Sequence, residues 1–145
     1  MKNKSNRIES PKEDVRVGIY MLGFAWVELW VDPNSYDENF QWSPSNGTDS
    51  QLPKAPSRIT VGVKDSHLWA AYAILCHEVM EAAMCDLGLR FKPTGRFQQS
   101  ASDLYVFNFN HGQFTEAAAR LGSYLCDCRR DFENSFNQCH KKGSK

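Results

Sequence analysis

Apolar and polar residues alternate from Val15 onward. Val15, Val17, Ile19 and Met21 fall on one face and Arg16, Gly18 and Tyr20 on the other. A period of two is that of a half-buried strand. Gly23 supports a turn or bulge, and Phe24 to Val31 is rich in aromatic and β-branched residues, so the two segments predict a hairpin. The pattern then stops. Residues 32–57 are dense in Pro, Asn, Ser, Asp and Gly, with Pro33, Pro44, Pro53 and Pro56 as breakers, and they predict one long irregular loop. A loop of that length in a small domain is either functional or poorly ordered. Its large apolar groups are Tyr36, Phe40 and Trp42. They either pin the loop to the body or form a lid or binding surface. Pinning is the expected role, because burying aromatic rings is the cheaper way to hold a polar loop down.

Alternation returns over Arg58 to Lys64, with Ile59, Val61 and Val63 on one side. Ser66 then offers an N-cap for a helix running to Leu87, with Gly88 as its C-cap. That helix is apolar nearly all round, as a central helix packed on more than one side must be. Leu89 to Ser102 reads as connection, broken by Pro93 and Gly95, and Leu104 to Phe109 as another strand. A last helix is predicted from Gln113 to Cys139. Phe114, Ala118, Leu121, Leu125, Cys128, Phe132 and Phe136 recur there at spacings of three and four, opposite a polar face carrying Glu116, Arg120, Asp127 and Arg130. The predicted fold is therefore α+β: a small antiparallel sheet of three to four strands, a buried central helix and a long amphipathic C-terminal helix. One domain is expected over residues 14–140, with flexible tails at 1–13 and 141–145.

Composition narrows the function classes. At 145 residues with 41% hydrophobic and 12% aromatic content, the chain can bury a core of its own. Its 17 basic and 17 acidic residues cancel, which argues against a phosphate-backbone binder. Arg129-Arg130 and Lys141-Lys142 read as a solvated helix end. No stretch approaches the ~20 apolar residues of a membrane span. Met1 to Asp14 has no apolar signal core, so a cytoplasmic location is expected. The five cysteines, an odd number, all fall in predicted helices, as free thiols in a reducing compartment would. There is no Gly-rich phosphate loop and no serine in a nucleophile elbow.

Chemistry concentrates in Cys76-His77-Glu78-Val79-Met80-Glu81. His77 and Glu81, four apart, share one helix face, with Glu78 on the neighbouring flank. Two carboxylates and an imidazole on an apolar helix are costly to bury without a partner, and a divalent cation is one such partner. His111, between the predicted strand and the last helix, offers a third ligand. His77, Glu81 and His111 would then hold zinc with a position open to water, Glu78 would act as catalytic base, and Glu116 would orient His111. The same residues also read without a metal, with His77 bonded to Glu81 or a loop amide and Glu78 paired with Arg90 or Arg96. Two lesser candidates are Cys126-x-Cys128 with Cys139-His140, as thiol and imidazole ligands, and Asp65-x-His67 at the mouth of the central helix. Asp65 there suits the helix dipole.

His77-Glu78-x-x-Glu81 resembles the zincin-type metallopeptidases, whose helix reads His-Glu-x-x-His with a further ligand downstream. The resemblance covers one helix and one downstream residue, and implies first ligand His77, catalytic glutamate Glu78 and downstream ligand His111. Glu81 stands where that family has its second histidine. The run Leu75 to Phe91 followed by Tyr105 to Glu116 also resembles short phage- and prophage-type proteins, without an assigned activity. The expected function is thus a zinc-binding protein with a zincin-like hydrolase site. The alternative is a non-enzymatic accessory or inhibitor protein that binds a host protein or a small ligand, with Tyr36, Phe40 and Trp42 as its binding loop.

Overall fold

The predicted hairpin forms as β1 (Val15–Leu22) and β2 (Ala25–Asp32), joined through Gly23 at φ +61°. In the computed structural model the described residues are 13–36, 38–41, 57–91 and 106–141. Of the expected tails at 1–13 and 141–145, residues 1–12 and 142–145 lie outside them, as do Trp42 of the expected binding loop and Arg96; Lys141 is the last residue of a helix and not part of a tail. Within the long segment expected to be irregular, β3 (Glu38–Gln41) forms and pairs antiparallel with β4 (Ser57–Gly62), setting Phe40 opposite Ile59 in the ladder. Phe40 is therefore a strand residue and not a loop residue.

The sheet order is β1-β2-β4-β3, and β2 and β4 run parallel, so the sheet is mixed and not antiparallel throughout. Composition explains the crossover. The Ser-Arg-Ile-Thr-Val-Gly strand β4 carries Ile59 and Val61, both fully buried, and suits a central slot. The short polar strand Glu-Asn-Phe-Gln suits an edge. A bulge at Val17 also corrects the expected facing of β1. Arg16 pairs with Trp30 and Gly18 with Leu29, leaving Val17 as the extra residue. Beyond it, Tyr20 and Leu22 face the core, while Ile19 and Met21 turn out to solvent at 41% exposure each.

α1 (Leu68–Asp86) and α2 (His111–Lys141) cover the inner face of this sheet. Asp86 meets Arg120 and Tyr72 meets Glu133, so the helices run antiparallel. By length and composition α1 is apolar enough to cross a membrane, contrary to the expectation that no stretch is. Here its Ala71, Leu75, Val79, Ala82 and Ala83 are buried in the core, with Val27, Leu29, Val31, Ile59 and Val61 of the sheet. The helix starts one residue later than expected. His67 is its N-cap, its carbonyl accepting from Ala70 and Ala71, while the Ser66 hydroxyl donates to the His67 carbonyl. Its end comes one residue before the expected one, with Leu87 as the C-cap and Gly88 just beyond it. Gly88, at φ +69°, donates to Cys85 O and Leu89 to Met84 O, a Schellman closure with Leu89 and Met84 both buried.

Of the expected strand Leu104 to Phe109, Val106–Phe107 form β6, Asn108 and Phe109 fall beyond it, and residues 104 and 105 lie outside the described residues; β6 pairs with β5 (Arg90–Phe91) in a separate two-stranded ribbon. α2 begins two residues earlier than expected. Asn110 and Gln113 exchange bonds as a capping box: Gln113 N donates to Asn110 Oδ1 (3.0 Å) and Asn110 N to Gln113 Oε1 (2.9 Å). Phe109 stacks on Phe114 across the cap at 5.6 Å, a hydrophobic staple. The buried stripe of α2 is Ala117, Tyr124, Cys128, Phe132, Ser135, Phe136 and Cys139. Phe114 and Ala118, expected inside, are exposed because the first turns of α2 run past the end of α1.

Candidate metal centre

α1 brings His77, Glu78 and Glu81 together. One ligand atom from each lies within 4.8 Å of the others, and no other group of three or more His, Cys, Asp or Glu side chains converges this way among the described residues. His77 Nε2 stands 3.6 Å from Glu78 Oε1 and 3.9 Å from Glu81 Oε2. The helix dictates this: positions i and i+4 stack on one face, and i+1 reaches the same point from its flank. The three differ in burial. The side chain of His77 is 64% exposed, that of Glu81 22% and that of Glu78 4%. The cluster therefore has a buried carboxylate at its floor and an imidazole at its mouth. Burial pushes the thiol of Cys76 beside it up from its ordinary value.

The geometry suits a cation. Ligand atoms bound ~2.0–2.2 Å from zinc at tetrahedral angles stand roughly 3.3–3.6 Å apart; the two His77–carboxylate distances of 3.6 and 3.9 Å are close to that, while the three atoms together converge only to within 4.8 Å. An imidazole with two carboxylates also suits manganese or iron.

His111 is not part of this cluster. It is the first residue of α2 and is exposed. His77 lies nine residues before Asp86 and His111 nine before Arg120, in antiparallel helices that meet at that pair. At 1.5 Å rise per residue the two histidines are on the order of 25 Å apart along the helix axes. The expected His77-Glu81-His111 set thus does not come together; the residues that converge are His77, Glu78 and Glu81. Glu116 does not orient His111 either: its carboxylate accepts from Arg120 Nε at 2.9 Å.

The cysteine candidate does not assemble. Cys126 is exposed while Cys128 and Cys139 are buried, and none of the five cysteines forms a disulfide. Burial pushes Cys128 up to about 12, which holds it as an inert thiol. His140 stacks on Phe136 at 4.1 Å, its Nδ1 2.9 Å from the Phe136 carbonyl. Asp65, at φ +50°, accepts from the Tyr36 hydroxyl at 3.1 Å instead of starting the helix. Lys64 sits 5.0 Å over the Tyr36 ring, so this exposed tyrosine is tethered to the turn before α1.

Sequence reasoning missed a groove of about 350 Å³ between the helices, lined by Tyr72, Leu125, Cys126, Arg129 and Glu133. Glu133 accepts from Tyr72 OH at 3.0 Å and from Arg129 Nε at 3.1 Å, and the Arg129 bond holds the carboxyl below its ordinary range. Five residues separate Tyr72 from His77, a rotation of roughly 140° about α1, so the groove is not the pocket of the metal cluster. Its only sequence signal is Arg129-x-x-x-Glu133, which any solvated helix carries.

Comparison with protein-family models, with curated proteins and with solved structures finds no match for this chain.

Proposed function

We propose that this protein binds one divalent cation, zinc or a metal of similar size, between His77, Glu78 and Glu81. The supporting observation is the convergence of three donor atoms within 4.8 Å on a single turn of α1, around a carboxylate that is nearly buried. A cation at this point would be shared by the two carboxylates and the imidazole. Glu78 and Glu81 would neutralise the ion and His77 would close the set from the solvent side, leaving the outer positions to water or to a ligand. Bound there, zinc would supply Lewis-acid polarisation. Glu78 cannot be both ligand and free base, so the reading supported here is metal binding and not peptide hydrolysis.

Calorimetric titration of the purified, metal-stripped chain with manganese and with zinc tests this. One equivalent should bind wild type, and Glu78→Gln and His77→Ala should each weaken binding at least tenfold with unchanged circular dichroism. Manganese is the cleaner probe, because free thiols such as exposed Cys126 take up zinc adventitiously. Equal, weak binding by wild type and both variants contradicts the proposal.

A further inference from the structure

All five cysteines lie on α1 or α2, and the register between these antiparallel helices matches one pair of them. Tyr72 of α1 meets α2 at Phe132 and Glu133. Its ring packs edge-on against Phe132 at 5.1 Å, and its hydroxyl donates to Glu133 at 3.0 Å. One turn forward on α1 is Cys76, and one turn back on α2 is Cys128, each on the helix face of the residue four positions away. The two thiols therefore face each other one turn along from the Tyr72–Phe132 contact. Cys76 is also among the groups whose proximity raises the Cys128 thiol. No other pair lines up. Cys85 adjoins Asp86 at the level of Arg120, Cys139 lies two turns beyond Phe132 where α1 has not begun, and Cys126 is exposed.

The spacing suits a covalent link. Packed helices have axes ~8–10 Å apart and Cα atoms ~2.3 Å from each axis, so residues facing across the interface have Cα atoms roughly 4–6 Å apart. A disulfide spans ~4.4–6.8 Å between Cα atoms. The Cys128 sulfur stands 3.9 Å from the Leu125 carbonyl, a weak thiol contact that a rotation about its Cα–Cβ bond breaks.

We propose that Cys76 and Cys128 are a disulfide-forming pair that ties α1 to α2 when the protein meets hydrogen peroxide. Cys76 is the partly exposed member and Cys128 the buried one. The Cys76 sulfur attacks one peroxide oxygen, breaking the O–O bond and giving a sulfenic acid and one water. The Cys128 sulfur then displaces that hydroxyl, and its own proton leaves with it as a second water. Two thiols and one peroxide thus become one disulfide and two waters. Cys128, inert toward reagents in solution, reacts only with the group formed on the sulfur opposite it, where proximity replaces intrinsic reactivity. The pair is independent of the metal reading, in which neither thiol is a ligand.

Treating the reduced full chain with hydrogen peroxide, alkylating the remaining thiols and mapping the peptides by mass spectrometry tests this. A Cys76–Cys128 link within single chains should be the main disulfide product. Closing a loop of that length should raise the melting temperature by roughly 10 °C, reversed by dithiothreitol. Cys76→Ala and Cys128→Ala should each lose the link and the shift, whereas Cys126→Ser should keep both. Cys128→Ala removes a core side chain, and if that variant fails to fold the wild-type peptide map decides. Oxidised wild type overturns the proposal if both residues are recovered as alkylated thiols or separate oxyacids, or are linked through another cysteine or between chains.

Discussion

Arg120 shows how much one side chain carries in this fold. It contacts Asp86 at the end of α1, bonds Glu116 one turn back on α2, and lies 5.6 Å over the Phe24 ring at the hairpin tip. Glycine at that turn is required by its positive φ, while a Cβ there would press only on the movable ends of the Arg120 and Asp86 side chains. Sequence pattern placed Arg120 only on a polar helix face, because an ion pair between residues 34 apart leaves no local trace. Tyr124 is the opposite case. Fully buried, its hydroxyl has no hydrogen-bond partner among the described residues, and burial together with nearby Cys128 and Tyr20 raises its pKa. The ring earns its place by an edge contact with Tyr20 at 5.7 Å. Tyr124→Phe keeps the ring and removes the stranded hydroxyl, so we expect stability unchanged or raised by about 1 kcal/mol in urea unfolding. A loss of more than that would mean the hydroxyl has a partner.

At the scale of elements, local rules were readable and partner choice was not. The hairpin, β4, the core helix and its Gly88 closure follow from alternation, an all-round apolar pattern and a left-handed glycine. The start of α2 was legible too, in Asn110-His111-Gly112-Gln113, a box read as loop because the first apolar repeat comes only at Phe114. We expect Asn110→Ala to cost about 1 kcal/mol and Phe114→Ala to fray the same turns, visible as faster amide exchange over the first turns of α2. Protection identical to wild type would count against the cap. Two features lay beyond pattern. The Val17 bulge inserts one residue, and one residue reverses every facing after it. The parallel β2–β4 pair was hidden because strand order depends on which strand wins the centre of the sheet.

For the whole molecule, the two helices sandwich groups that fit the fold only when protonated. Cys128 is pushed by burial from 9.0 to about 12 and Tyr72 by burial and its bond to Glu133 from 10.0 to about 12. Both folded values lie above the unfolded ones. Their contribution to stability is therefore complete below pH 9 and lost as pH rises from 9 toward 12, where the unfolded chain releases protons that the folded one retains. The urea midpoint should be lower at about pH 11 than at about pH 7, and Tyr72→Phe should reduce the difference; equal midpoints would contradict this.

His77, Glu78 and Glu81 were legible as neighbours from their spacing alone, but the distance of His111 from them was not, because helix length and direction decide where His111 ends. The decisive measurement is nuclear magnetic resonance of the four imidazoles during titration with zinc. The account predicts that the His77 ring signals alone shift and saturate at one equivalent, and that Glu78→Gln abolishes the shift. It is contradicted if His77 is silent, or if His67, His111 and His140 respond alongside it without saturating.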